Sequence, residues 1–276
     1  MAMMRKKVPE SRKPLVPGAG GKQDRHFVTA LARGLDVLSC FRSSDKLLGN
    51  QDIAKRCGLP KSTVSRLTYT LTRLGYLHYS EEVGKYRLGM ATLALGSAML
   101  ARLDVRQIAR PLMQELADFS DCMVSLGTRD RLSMIYLATC RSKSALTLSL
   151  DVGSRIPLAT TAMGRAYLEL IDESERKDLI ERIREQDEAA WPRIQTGIEN
   201  GLKQFRKLGC FCSFGEWQKD VNAIGVAFRV GNDLPAMAVS CGGPAFNLSQ
   251  KFLLNEVRPR LIDMVRRIEA SVGSGK

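Results

Sequence analysis

Residues 50–77 read NQDIAKRCGLPKSTVSRLTYTLTRLGYL, and this stretch decides the fold of the first part of the chain. It opens with a short helix: Asn50 is the expected N-cap, Ile53, Ala54 and Cys57 share one face, and Gly58 supplies the stop. Pro60 stands at the entrance of a second helix. There Val64, Leu67, Leu71 and Leu74 recur at i, i+3, i+7 and i+10, the spacing of a core-facing stripe. The opposite face carries Lys61, Ser62, Thr63, Ser65, Arg66, Tyr69 and Thr70, short hydroxyls and cations with hardly any acid. Such side chains hydrogen-bond phosphates and base edges when the N-terminal half of a helix lies in the major groove. An ordinary solvated face is the alternative, and the position directly after a short helix and a glycine-containing turn weighs against it.

The flanks complete a small module. Upstream, Val28, Leu31, Leu35, Leu38 and Phe41 predict a helix over 28–42 with one buried stripe, from which Arg33 points away. Downstream, LHYSEEVGKYRLG (77–89) alternates around a turn at Glu81 to Gly84 and reads as a two-stranded wing. Lys85 and Arg87 of that wing are placed to approach a nucleic-acid backbone, while Tyr76 and Tyr86 are expected to pack under the second helix. Helix, short helix, turn, helix and hairpin together make a winged helix-turn-helix over 26–89, with double-stranded operator DNA as the expected partner.

Charge points the same way. Residues 1–26 carry seven Lys/Arg against two Asp/Glu and residues 27–89 ten against five, so most of the formal +13 lies in the first third of the chain. A positive field concentrated there is the footprint of a polyanion-binding module. The Gly/Pro-rich residues 1–25 read as a disordered basic arm, and no apolar run follows Arg5, Lys6 and Lys7 as a secretory signal requires. No apolar stretch approaches the ~20 residues of a membrane span, so the chain is expected to be cytoplasmic.

At 276 residues there is room for a second core. Residues 90–104, rich in Ala, Leu and Met, predict a linker helix that dimerises, giving a homodimer or a dimer of dimers. Over 105–276 the pattern predicts strands at 122–128, 132–140 and 144–150, helices at 161–171, 173–186 and 196–208, strands near 210–214, 221–229 and 235–241, and a terminal helix at 249–271. Strands in two groups separated by helices imply an α+β domain, an antiparallel sheet covered by helices. The seven cysteines are scattered, several in apolar segments, as reduced buried thiols would be; the one-residue spacing of Cys210 and Cys212 is not that of a zinc site. No metal or cofactor is expected.

The stretch DIAKRCGLPKSTVSRLTYTLTRLGYL, ending through the hairpin in KYRLG, resembles the DNA-binding domain of the isocitrate-lyase-regulator (IclR) family, and LARGLDVLSCF resembles its first helix, which places Arg33 near the DNA backbone. The resemblance continues through GSRIPLATTAMGRAYL, GCFCSFGEWQKDVNAIGVAF and AVSCGGP, with Arg165, Asp220 and Ala227 standing where the family more often has Lys, Gly and Pro. It implies a GAF-like effector-binding domain. On that basis Thr160, Thr161, Ala162 and Met163 at a helix start, Ser213, Glu216 and Ala223, and Ser240 and Gly242 on the last strand are candidate effector contacts. The free amides of a helix start suit an organic or aromatic acid; for Thr160 and Ser240 a capping or strand role is an equal alternative, and Arg165 either pairs with an effector carboxylate or lies on a solvated face.

The expected function is therefore a sequence-specific transcriptional regulator whose operator affinity responds to a small molecule, controlling a catabolic operon. A thiol-dependent enzyme is the first alternative. Its difficulty is that the two histidines, His26 and His78, both fall outside the larger domain, leaving no imidazole there to activate a nucleophile, and no catalytic motif is visible. An effector-independent nucleoid binder is the second, and it leaves the C-terminal domain without a use.

Overall fold

The computed structural model describes residues 26–42, 45–100, 104–143, 150–229 and 235–273. The proposed arm at 1–25 and nearly all of the strand expected at 144–150 lie outside the described residues. The chain divides into two compact units, Met1–Leu100 and Ala101–Lys276.

The first unit contains α1 (Thr29–Ser39), α2 (Asn50–Cys57), α3 (Lys61–Arg73), β1 (Leu77–Ser80), β2 (Lys85–Leu88) and α4 (Met90–Leu100). Its core gathers Val37, Leu48, Ile53, Val64 and Leu77, with Leu67, Leu71 and Tyr86 partly buried against them. β1 and β2 are antiparallel with Leu77 opposite Leu88 and Ser80 opposite Lys85. Leu48 adds a third rung, exchanging backbone hydrogen bonds of 2.9 and 2.8 Å with Tyr86. Gly89 closes the wing onto the end of α3: a Cβ there would stand 2.1 Å from the Gly75 carbonyl oxygen.

Three expectations need correction. Asn50 is inside α2, and the cap is Gly49, whose amide donates to Asp52 at 3.1 Å. Asn50 instead accepts a hydrogen bond at 3.2 Å from the buried Thr68 hydroxyl, tying α2 to α3. Leu74 lies past the end of α3 and is exposed. The buried residues of α1 are Ala32 and Val37, whereas Val28, Leu31 and Leu35 face outward at 62%, 63% and 48% exposure. Helical period identifies an apolar stripe without saying whether the same domain or another surface covers it.

An ion pair closes the loop after α1. Arg56 grips Asp45 with two nitrogens, one at 3.0 Å, and its Nη1 also reaches the Cys40 carbonyl at 3.0 Å. The Arg56 guanidinium holds the Asp45 carboxyl below the usual carboxylate range.

The second unit contains α5 (Asp104–Ser120), β3 (Met123–Asp130), β4 (Ser133–Arg141), β5 (Arg155–Pro157), α6 (Ala162–Leu170), α7 (Glu173–Gln186), α8 (Trp191–Leu208), β6 (Phe211–Phe214), β7 (Val221–Phe228) and β8 (Met237–Pro244). It ends in a helix made of α9 (Gln250–Phe252), a π-helical turn at Leu253–Val257 and α10 (Arg258–Gly273). The sheet order is β5-β4-β3-β8-β7-β6, and every pairing is antiparallel. α8 starts five residues before its expected position, and β5 was not anticipated; it is a three-residue edge strand beside β4.

Strand alternation sorts the sheet into two faces. Cys140 reaches the Arg110 carbonyl and Cys241 approaches Ser120, so these residues face α5. Gly225 and Gly127 face α6: a Cβ on Gly225 would stand 2.9 Å from the Ala162 carbonyl carbon, and one on Gly127 2.8 Å from the Met163 sulfur. These glycines let the start of α6 lie directly on the strands.

Candidate functional site

The helix-turn-helix geometry places the polar face of α3 outward. Lys61, Ser62, Ser65, Arg66, Tyr69 and Thr70 are exposed and Thr63 is half-buried, opposite the fully buried Val64 and Thr68. The Thr70 hydroxyl is already committed, donating to the Arg66 carbonyl at 3.0 Å. Lys85 and Arg87 are exposed on β2 of the wing. Arg33 is half-buried on α1, its Nε without a hydrogen-bond partner among the described residues. Tyr86 packs into the core and meets Tyr79 at a tilt, with ring centres 4.8 Å apart.

In the second unit an open pocket lies where the start of α6 meets the sheet. Thr161, Ala162, Met163, Ser213, Ala223, Ser240 and Gly242 line it, joined by Met123, Tyr136, Ile156, Trp217 and Val221. The first seven were candidates from sequence. The others sit on strands and loops whose pocket-facing parity depends on pairing: Met123 lies opposite Gly242, and Tyr136 opposite Gly127 through a bulge in β3–β4.

Two candidates are elsewhere. Thr160 is absent from the lining; its carbonyl accepts the Ser213 hydroxyl at 2.9 Å. Glu216 is also absent from the lining, because its carboxylate clasps Arg165 at 2.9 and 2.6 Å. Arg165 is therefore on no solvated face: it is 3% exposed, and its Nε donates to the Ala159 carbonyl at 2.9 Å. Gly197 and Gly201, one turn apart on α8, make room for this guanidinium; a Cβ on Gly197 would meet its Nη2 at 2.3 Å. The sequence signal for a buried cation was this glycine pair facing an arginine-bearing helix, legible only once the helices are docked.

The polar inventory of the pocket is short. Thr161, the N-cap of α6, is fully committed, accepting from the Gly164 amide at 3.1 Å and donating to the Pro157 carbonyl at 2.7 Å. The amides of Ala162 and Met163 open the helix without intrahelical acceptors. The Ser240 hydroxyl lines the pocket, and the Tyr136 phenol faces the Ser125 hydroxyl. Burial pushes the Tyr136 phenol up, keeping it a neutral donor. The lining carries no charged side chain. All seven cysteines are buried free thiols, and contact with Cys122 together with complete burial raises Cys241, an environment that disfavours the reactive thiolate. No cluster of three metal-ligating side chains and no helix long and apolar enough to cross a membrane occurs among the described residues.

Comparison with known proteins matches both units. The IclR helix-turn-helix domain matches residues 30–81, and the bacterial transcriptional regulator IclR C-terminal domain matches residues 97–270. The chain is 35% identical to the HTH-type transcriptional regulator TsaQ1/TsaQ2 of Comamonas testosteroni, over 91% of this chain and 90% of that one. A crystal structure of an IclR family transcriptional regulator from Brucella abortus is 44% identical, with TM-score 0.82, covering 96% and 99% of the two chains. An IclR homologue from Microbacterium hydrocarbonoxydans, complexed with 4-hydroxybenzoate, shares the fold at 21% identity and TM-score 0.69, covering 90% of this chain and all of that one.

Proposed function

The chain belongs to the IclR family of bacterial transcriptional regulators, and we propose that it reads operator DNA with the polar face of α3 while a small organic acid in the α6 pocket sets the strength of that grip. The observation that carries the DNA half is the acid-free exposed row from Lys61 to Thr70, held opposite a buried stripe on a helix entered through Pro60. Lys61, Lys85, Arg87 and Arg33 meet phosphates in this reading; Arg66, with Ser62, Ser65 and Tyr69, meets base edges. The effector half rests on the pocket: two free amides and the Ser240 hydroxyl at one end, with Met163, Ile156, Val221 and Trp217 excluding water around them. Binding of 4-hydroxybenzoate by a fold relative supports an acid of that size.

The regulator acts as a homodimer. None of the residues of α4 is buried, although Met90, Leu93, Leu95 and Met99 are 76%, 59%, 62% and 48% exposed. With the outward Leu31 and Leu35 of α1, they give more unpaired apolar surface than a lone unit needs, and twofold operators call for a twofold reader. In this reading the regulator controls a catabolic operon in the cytoplasm.

The test is a mobility-shift titration of the full chain on DNA from upstream of its own gene, with and without 4-hydroxybenzoate. A specific complex whose affinity the acid changes supports the reading. Binding no tighter than to random DNA of equal length contradicts it.

A further inference from the structure

Behind the pocket lies a row of buried hydroxyls. Ser125 in the middle of β3 is fully buried and Thr139 on β4 is 9% exposed, and neither side-chain oxygen has a hydrogen-bond partner among the described residues. Buried hydroxyls are ordinarily satisfied, and leaving one unpaired is costly. The register sets them in line: Ser240 of β8 stands opposite Ser125, which stands opposite Thr139. All three share the sheet face of Met123 and Gly242, residues that line the pocket. Ser125 also faces the Tyr136 phenol, without a hydrogen bond of normal geometry. Ser240 is the pocket-lining end of the row, and Thr139 lies two strand spacings, about 10 Å, further across the sheet.

We propose that Ser125 and Thr139, with Tyr136, form a deep polar subsite that selects ligands carrying a neutral hydroxyl at the end remote from the carboxylate. This rests on the pocket reading given above. The α6 amides and Ser240 take the carboxylate, the apolar middle takes a ring or short chain, and the far hydroxyl meets the orphaned oxygens. The one cation near that end, Arg141, is already committed to the Leu150 carbonyl and to Asp151, the pocket lining itself has no charged side chain, and Arg165 is tied to Glu216. A second carboxylate there would have to be buried against a cation already paired with Asp151, which is costlier than burying a hydroxyl that gains two partners.

The experiment compares 4-hydroxybenzoate, benzoate and terephthalate on the full-length protein by Trp fluorescence, because Trp217 lines the pocket and Trp191 is the only other tryptophan. The wild type binds 4-hydroxybenzoate roughly tenfold more tightly than benzoate and rejects terephthalate. In the Ser125→Ala/Thr139→Val variant the preference falls to near unity, benzoate affinity is unchanged, and the ligand-free melting temperature does not fall. A variant that keeps the tenfold preference, or that melts lower because the hydroxyls were holding the fold, overturns the subsite and leaves the pocket reading standing. Failure of the wild type to bind either monoacid, or equal binding by Ser240→Trp, overturns the pocket and the subsite together.

Discussion

At the scale of the residue, the strongest assignments are those where a side chain has no structural duty. Arg66 and Lys61 are exposed on α3, away from the buried Val64, and neither forms an ion pair among the described residues. Arg66→Ala is expected to weaken operator binding by about 1–3 kcal/mol and to relax discrimination at one base pair. Lys61→Ala should weaken all DNA about equally and shallow the salt dependence. Mobility shifts on matched and point-mutated operators at two salt concentrations separate these outcomes, and equal affinity of Arg66→Ala for both operators would remove it from the reading surface. Arg165 is the opposite case, a cation wholly spent on structure. Glu216→Gln strands a guanidinium that is 3% exposed beside a carboxylate position that is 41% exposed. The expected loss is about 2–3 kcal/mol of unfolding free energy, below that of a fully buried pair because one side is wet. Urea titration checks it, and a loss under about 0.5 kcal/mol would mean that Arg165 finds other acceptors.

At the scale of the element, the start of α6 is held by three independent devices: the Thr161 cap, the Gly225 contact and the Arg165 anchor. Gly225→Ala places a methyl 2.9 Å from the Ala162 carbonyl carbon and 3.0 Å from the Met163 nitrogen, so it must push the free amides away from the sheet. The expected result is a stability cost of about 1–3 kcal/mol and loss of acid binding while operator recognition in the absence of ligand persists. Calorimetry against 4-hydroxybenzoate reads the first effect and mobility shift the second; unchanged acid affinity would place the ligand elsewhere. Much of this is legible in the sequence, because the Gly58 stop of α2, the period of α3, the turn of the hairpin and the Thr161 cap of α6 are local signals. What was not legible depends on pairing. The short β5 has no alternation to read, the bulge that turns Tyr136 into the pocket follows from β3–β4 register, and the outward stripe of α1 matches a core stripe in period. The same holds for Glu216, whose partner is 51 residues away in sequence and invisible until α6 meets the loop after β6.

At the scale of the whole molecule, the account needs a second copy and a link between the two units. Leu31→Glu with Leu93→Glu puts charge on two outward apolar positions, 63% and 59% exposed, where neither substitution disturbs a core. Sedimentation velocity is expected to show a shift from dimer to monomer, with helix content unchanged by circular dichroism and operator affinity reduced at least tenfold through loss of the second half-site. An unchanged sedimentation coefficient would move the interface to another surface. The central claim, that one acid in the α6 pocket and one operator on α3 bias the same equilibrium, has a more direct test, because coupling between two binding sites is reciprocal. The measurement is the operator dissociation constant of the full chain with and without saturating 4-hydroxybenzoate, set beside the dissociation constant of the acid with and without saturating operator. The account predicts the same factor in both directions, about 5- to 150-fold; tight binding of both ligands with neither affinity altered by the other would contradict it.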